Sequence, residues 1–356
     1  MLKIVGSAII SDGFSAKPVS AALSSAQIVV ANLDKIMNNK GRICKSPAAV
    51  CSGRRSSIQG ENDMKLLTYR QNGTDHVGIL AGSDQIVPVK ELGINCASMT
   101  ELIEQTDDAG WETIKSKLAG GKFSTIPAGS VEKRAPIPCP RQDVICLGIN
   151  YMAHAEESAR YKLETFDGER QYPVYFSKRV TEANCDGGPV PVHADIEDRL
   201  DYEAELVVIL KKDAKNVAEA DAFDYVLGYT VANDVSARVL QNRHKQWYFG
   251  KSLDGFFPMG PWIVTVDEFA QPPVLKIQSR VNGELRQDST TGLLIFGIAH
   301  VIHELSQGMT LKAGTIISMG TPAGVGMGFT PPKFLKSGDV VECSIEGIGT
   351  LTNPID

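Results

Sequence analysis

Apolar and polar positions are most clearly patterned in the second half of the chain. Leu200-Asp-Tyr-Glu-Ala-Glu-Leu-Val-Val-Ile-Leu210 is rich in β-branched and apolar residues and closes on Lys211-Lys212-Asp213, which predicts a strand ending in a turn. Side chains alternate along a strand, so Glu203, Glu205, Val207 and Ile209 are expected to share one face. Val226-Leu-Gly-Tyr-Thr-Val-Ala-Asn-Asp234 predicts a second strand with Asp234 at its tip. Val144-Ile-Cys-Leu-Gly-Ile149 predicts a third, with Asn150, Tyr151 and His154 beyond its end. Earlier, residues 66–70, 77–80 and 86–89 read as a meander turned at Asn72-Gly73 and Gly82-Ser-Asp84. Ser98-Met-Thr-Glu101 is a capping box, and Leu102, Ile103, Trp111, Ile114 and Leu118 continue it as one helical stripe up to Gly120-Gly121. Ser236 is expected to cap a helix that carries Arg238 and Gln241 on one face. Phe296, Val301, Ile302 and Leu305 interleave with His300 and His303 in an amphipathic helix ending at Gly308, so these histidines read as helix constituents and not as a metal pair.

Pro127, Pro136, Pro138 and Pro140 mark a linker, because proline opposes helix and donates nothing to a sheet. The boundary is expected near Arg141, separating a small β/α domain at 64–140 from a larger domain at 141–356 in a β-rich α+β chain. At 356 residues and 43% hydrophobic the chain can bury a sizeable core. It has no run of about 18 apolar residues, so no membrane span is expected. The seven cysteines (44, 51, 96, 139, 146, 185 and 343) are scattered, odd in number and form no CxxC pair, which favours a reducing, cytoplasmic setting over a disulfide framework. A net charge of −6 and a pI near 5.6 turn the reading away from nucleic acid.

The charge is uneven. Residues 1–60 hold eight Lys/Arg against Asp12 and Asp34, a balance of +6 that leaves −12 for the remainder. Met64-Lys-Leu-Leu-Thr-Tyr-Arg-Gln-Asn-Gly73 looks like a natural opening, so residues 1–63 are expected to be a poorly packed upstream-start extension outside the chemistry. An organelle transit peptide is the alternative reading, because the stretch is basic and acid-poor.

Two adjacent anions on a face that continues as Val and Ile repel each other and suffer desolvation unless a cation compensates them. Together with Asp234 they make an oxygen site for a hard divalent ion, Mg²⁺ or Ca²⁺, with positions left for substrate and water. By itself a Glu-x-Glu is more often a pair of ordinary surface acids on a solvated strand face. His154 and Glu157 are three apart, and on a helical turn a carboxylate beside an imidazole suits a general base acting on water; Glu156 is the rival partner. Arg238 is a natural clamp for a substrate carboxylate, and Gln241 a donor to a carbonyl. Gly250-Lys251-Ser252 lacks the upstream glycine of a Walker loop, since position 245 is Lys. Gly320-Thr-Pro-Ala-Gly-Val-Gly-Met-Gly328 lacks GxGxxG spacing and reads as a backbone-lined loop at a pocket, with Thr321 offering a hydroxyl.

Six ordered segments carry a resemblance: Leu147-Gly-Ile-Asn-Tyr-Met-Ala-His154, Leu200-Asp-Tyr-Glu-Ala-Glu-Leu206, Gly228-Tyr-Thr-Val-Ala-Asn-Asp-Val-Ser-Ala-Arg238, Gly250-Lys-Ser-Leu-Asp-Gly-Phe-Phe-Pro-Met-Gly-Pro261, Gly320-Thr-Pro-Ala-Gly-Val-Gly326 and Ile345-Glu-Gly-Ile-Gly-Thr-Leu351. From roughly Asp143 to the C-terminus the chain resembles the fumarylacetoacetate hydrolase family. The resemblance implies a mixed β-sandwich roll and a three-carboxylate Mg²⁺ or Mn²⁺ site at Glu203, Glu205 and Asp234. It also implies a water-activating His154–Glu157 dyad on a mobile lid, for which residues 158–172 are polar enough. Lys251 would sit at the developing oxyanion, with Tyr151, Arg238, Gln241 and Thr321 as substrate contacts. Lys178 falls in a Phe-x-Lys pattern seen in similar proteins, though a salt bridge would explain it too. Val239 and Met319 stand where the family often has Asp and Thr.

The activity implied is metal-dependent hydrolysis of a C–C bond in a small 2-oxo or 1,3-dicarbonyl acid, such as an acylpyruvate or a fumarylacetoacetate-like compound, by a homodimer. Decarboxylases, hydratases and isomerases of 2-oxo acids use the same metal and enolate chemistry. A fold that binds metal or metabolite without turnover is the alternative outside catalysis. Two-metal phosphoryl transfer would require further acids and a basic groove, and the sequence offers neither.

Overall fold

The protein is described by a computed structural model covering residues 64–165, 168 and 170–356; the expected extension at 1–63, and Phe166, Asp167 and Glu169 of the expected lid, lie outside the described residues. In chain order the elements are β1 (Lys65–Gln71), β2 (Thr74–Ala81), β3 (Gln85–Pro88), α1 (Met99–Gln105), α2 (Asp108–Gly120), β4 (Ile126–Pro127), β5 (Glu132–Lys133), β6 (Val144–Gly148), α3 (Met152–Lys162) and β7 (Val174–Lys178). They continue with β8 (Leu200–Asp201), β9 (Ala204–Leu210), β10 (Val226–Asn233), β11 (Ser236–Ala237), α4 (Arg238–Arg243), α5 (Tyr248–Lys251) and β12 (Met259–Thr265). The last are β13 (Lys276–Val281), β14 (Glu284–Thr290), α6 (Ile298–Gly308), β15 (Ile316–Ser318), β16 (Val340–Ile345) and β17 (Gly349–Pro354).

The fold is mixed α/β and strand-rich. An 11-stranded sheet runs β4-β3-β2-β1-β12-β10-β9-β15-β6-β7, with β5 also paired to β1. The antiparallel β1–β12 ladder, with Lys65 opposite Val264, places strands from both sides of Arg141 in this one sheet. A four-stranded antiparallel sheet, β14-β13-β16-β17, packs on one of its faces. Leu206, Val208, Leu210, Tyr229 and Val231 join Ile277, Val281, Val341 and the α6 residues Val301 and Ile302 in that core. The opposite face of β9 sends Val207 and Ile209 into a second core with Met99, Leu102, Trp111 and Ile114. Both faces of β9 are therefore covered, which is why its C-terminal half is a continuous apolar run.

Two expected elements are divided. The single helix from Ser98 to Gly120 is two, because Asp107 accepts the Gly110 amide at 2.8 Å and caps a new helix, while the Thr106 hydroxyl turns back onto the Leu102 carbonyl at 2.6 Å. Ser98 caps the first as expected, accepting the Glu101 amide at 3.1 Å. The strand expected over 200–210 is interrupted at Tyr202–Glu203, because Leu200–Asp201 pairs with β11 in a separate two-stranded sheet before the chain crosses into β9. Glu205, Val207 and Ile209 still alternate along β9. His303 lies on α6 with its Nδ1 2.7 Å from the Val217 carbonyl, and His300 stacks on Phe296, so both belong to the helix packing. Among the described residues, no helix is long and apolar enough to cross a membrane.

Candidate functional site

The β9–β10 ladder sets Glu205 opposite Ala232 and Ala204 opposite Asn233, so Glu203, Glu205 and Asp234 emerge together at one end of the sheet. Backbone bonds fix the crossing: the Asp234 amide donates to the Glu203 carbonyl at 2.8 Å, and the Glu203 amide to the Asn233 side-chain oxygen at 2.9 Å. The three carboxylates each offer an oxygen within 4.8 Å of the others, and all three are buried. Three cations converge on them from other elements. Lys251 at the end of α5 bridges Glu203 and Asp234, at 2.7 Å to each. Lys178 from β7 pairs with the other Asp234 oxygen and donates to the Val235 carbonyl at 2.9 Å. Arg238 at the start of α4 lies 2.7 Å from Glu203 and 2.9 Å from Asp201.

Glu205 differs from its neighbours. It accepts the Ser318 hydroxyl and, at 3.0 Å, the Gly320 amide, and among the described residues it has no ion-pair partner. Burial, then the charges of Asp234 and Glu203, push its carboxyl up to about 8. Burial also opposes ionised Glu203, but Lys251 and Arg238 outweigh it and hold that carboxyl well below the usual range. Once Glu205 is ionised, Asp201, Glu203, Glu205, Asp234 and Glu157 make five carboxylates against the three fixed cations, two charges short of balance. A divalent cation supplies those two charges, and the all-oxygen donor set is the kind that holds Mg²⁺, Mn²⁺ or Ca²⁺. The residues present therefore fit such an ion.

A titration prediction follows. Adding Mg²⁺ to the metal-free protein near pH 7 is expected to release about one proton per ion, because Glu205 must ionise to ligate. The sign for stability runs the other way. The folded, metal-free carboxyl keeps its proton up to about 8 while the unfolded one loses it near 4.5, so metal-free stability falls as pH rises through that window. Calorimetry in buffers of different ionisation heat measures the proton; none released at pH 7 would mean that Glu205 is already ionised or is no ligand.

Helix α3 presents the second half of the site. His154 Nδ1 lies 3.0 Å from Glu157 Oε2, both side chains are buried, and Glu156 is exposed. The glycine-rich loop reaches these acids through its backbone. Gly324 donates to Glu157 at 2.9 Å, Gly320 to Glu205, and Gly326 and Met327 to Asp201 at 2.6 and 3.0 Å. Loop glycines are thus required by close approach: a Cβ on Gly328 would fall 1.8 Å from Glu157 Oε1. Gly328→Ala is expected to push Glu157 off His154 and lower turnover by about 10²-fold, the scale of a roughly 1 Å misplacement, with Mg²⁺ affinity preserved. Steady-state kinetics and metal calorimetry on that variant check it; unchanged turnover would detach Glu157 from the chemistry.

The structure gives several of the expected site residues partners within the protein. Ser236 does not cap α4; it is in β11, and its hydroxyl donates to the Asp234 carbonyl at 3.0 Å. The acid at that helix end is Glu197, whose carboxylate accepts the Val239 and Leu240 amides at 3.1 Å while holding Arg199 N at 2.7 Å. Arg238 lines the cavity with its Nε donating to Asp201 and its Nη1 to the Gln241 side-chain oxygen at 2.9 Å each, while its Nη2 is ion-paired with Glu203. Gln241 keeps its amide N–H groups, since it uses oxygen toward Arg238 at 2.9 Å. The Thr321 hydroxyl donates to the Ala204 carbonyl and accepts from Gln287. Tyr151 is buried outside the residues lining the cavity; its hydroxyl finds no partner, and burial, then Glu205, raise its ionisation. Met319 is in the core and does not line the cavity, while its carbonyl accepts from Asn150 at 2.8 Å. Asp201, Glu197, Gln287 and Ser318 escaped the sequence reading. Of these only Asp201 carried a signal, as the first acid of the Asp-x-Glu-x-Glu run.

Glu203, Glu205, His154, Lys251, Gln241 and Thr321 line a single cavity of ≈ 30 Å³, enough for a few atoms deep in the site. Comparison with known proteins bears on its use. The family model described as Fumarylacetoacetate (FAA) hydrolase C-terminal matches residues 143–356. The oxaloacetate tautomerase YisK of Bacillus subtilis (strain 168) is 46% identical over 307 residues, covering 82% of this chain and 100% of that protein. A fumarylacetoacetate hydrolase from the psychrophilic Exiguobacterium antarcticum superposes with a TM-score of 0.70 at 36% identity, covering 82% of this chain and 99% of its own. A maleylpyruvate hydrolase from Sphingobium sp. SYK-6, solved with manganese (II) ion and pyruvate, gives a TM-score of 0.64 at 28% identity, with coverages of 82% and 98%.

Proposed function

Because the chain belongs to the fumarylacetoacetate hydrolase family, we propose that it is a divalent-metal enzyme that moves a proton to and from the enol form of a small 2-oxo acid of the oxaloacetate type. The observation that carries this reading is that Glu203 and Glu205 of the three-carboxylate cluster, Lys251, and His154 of the His154–Glu157 dyad line one small cavity. The likeness to an oxaloacetate tautomerase, over 82% of this chain, supports keto–enol proton transfer as the reaction.

Glu203, Glu205 and Asp234 would hold the ion, which when bound supplies Lewis-acid polarisation of a carbonyl oxygen. The protein does the rest. Lys251 has three N–H donors, two directed at Glu203 and Asp234, and the third is left for the substrate oxygen that gains charge. Glu157 accepts from His154 Nδ1, which leaves the Nε2 lone pair to take a proton from carbon or oxygen and return it. Gln241 donates its amide to a substrate carbonyl or carboxylate. Trp247 and Phe176, both on the cavity wall, keep bulk water from the carbanionic carbon.

Hydrolytic C–C cleavage of an acylpyruvate is the second reading. The same dyad favours it, since a base held by a carboxylate activates water as readily as it accepts a carbon proton. The test gives the Mg²⁺-loaded protein enol oxaloacetate and acetylpyruvate, following enol absorbance and identifying products by NMR. Faster enol decay without C–C cleavage is the expected result. Acetate and pyruvate from acetylpyruvate would favour the second reading, and no effect on either compound would overturn both.

A further inference from the structure

Helix α3 carries more than the dyad. His154, Ser158 and Lys162 recur every four residues, hence lie on one helical face, and all three line the cavity. At 1.5 Å per residue the stripe extends about 12 Å, from the base to the last residue of the helix. Across the cavity stand Arg238, Gln241 and Trp247. The Lys162 ammonium lies 5.8 Å from the centroid of the Trp247 ring, and among the described residues no carboxylate is within ion-pair distance of it. Arg238 differs, because its Nε and Nη1 donate to Asp201 and Gln241 and its Nη2 is ion-paired with Glu203. A second negative charge on a ligand seated at the carboxylate cluster would therefore meet Lys162 as the available cation, with the Ser158 hydroxyl on the way.

We propose that Lys162, aligned with Ser158 and His154 on the cavity face of α3, forms a second anion subsite, so that the substrate is a 2-oxo dicarboxylate whose remote carboxylate rests against Lys162. The half-buried Lys162, its ammonium over an indole face at the edge of the cavity, is less screened than a fully exposed lysine, so its attraction for a carboxylate is stronger there than in water. The inference rests on the 2-oxo acid reading above and adds what the far end of the substrate must be.

Oxaloacetate and pyruvate differ by that carboxylate alone, and calorimetric titration of the Mg²⁺-loaded protein with each reads the subsite independently of turnover. Wild-type protein is expected to bind oxaloacetate about tenfold or more tightly than pyruvate, the scale of one charge-assisted contact. Lys162→Met is expected to reduce the ratio to about threefold or less by weakening oxaloacetate alone, and Lys162→Arg to retain most of it. In kinetics the Met variant should raise KM for the diacid more than it lowers kcat, with acetylpyruvate little affected. Equal loss for both ligands, or an unchanged ratio in Lys162→Met, would overturn the subsite. A wild-type protein that shows the binding ratio but no turnover of either compound would instead sink the catalytic reading and leave the subsite standing.

Discussion

Glu203→Ala is expected to remove the metal and about 3–5 kcal/mol of stability, whereas Glu205→Gln should remove the metal and leave the metal-free fold as stable as before or more so. The split follows from their partners. Glu203 is the shared counter-charge of Lys251 and Arg238, both almost fully buried, and its loss leaves Lys251 with Asp234 alone and Arg238 with Asp201 alone, away from water. Glu205 holds only the Ser318 hydroxyl and the Gly320 amide, which glutamine oxygen can still accept, and its ionised form is opposed by burial and by Asp234. Removing that charge relieves repulsion at pH values above about 8, where the metal-free carboxyl is forced to ionise. Denaturant unfolding of the metal-free variants, with Mg²⁺ calorimetry beside it, reads both effects. Equal stability losses would refute the charge assignment, and retained affinity in either variant would take that residue out of the metal site.

His154→Ala should lower turnover by about 10²–10⁴-fold with Mg²⁺ affinity nearly unchanged, the range contributed by a positioned proton carrier. His154 touches Glu157 and not the three-carboxylate cluster, so the metal readout separates base from ligand. Glu157→Gln should give a smaller loss and shift the pH profile, because an amide can hold His154 Nδ1 without stabilising the imidazolium. Lys251→Ala should slow turnover and also weaken oxalate, since Lys251 is assigned to charge on the substrate oxygen. Wild-type turnover in His154→Ala on the best substrate would end both the tautomerase and the hydrolase readings, as each needs that base.

Much of the fold was legible because its elements obey short periods. The meander at 65–88, the strands around Val144–Gly148 and Val226–Asn233, and the helix Ile298–Gly308 follow from alternation, turn residues and a 3.6-residue stripe. The capping box at Ser98 marks the start of α1, but the apolar stripe that continues through Trp111 and Ile114 hides its end, because a cap at Asp107 leaves that period unbroken. Ser236 was misread because it looks like a cap locally, and only the pairing of β11 with β8 shows its backbone to be extended.

By itself the sequence determined the apolar strands, the Glu205–Val207–Ile209 face and the His154–Glu157 spacing, since backbone stereochemistry fixes which neighbours share a face within a few residues. The tertiary structure decided who neutralises whom. Lys178 meets Asp234 across 56 positions, Lys251 meets Glu203 across 48, and the Gly324 amide meets Glu157 across 167. Those pairings decide that Arg238 supports the site's own acids and that Glu205 is the carboxylate of the cluster with no ion-pair partner among the described residues. No local period encodes them, because an ion pair depends on where sheet closure brings two distant side chains and on how much water is excluded when they meet.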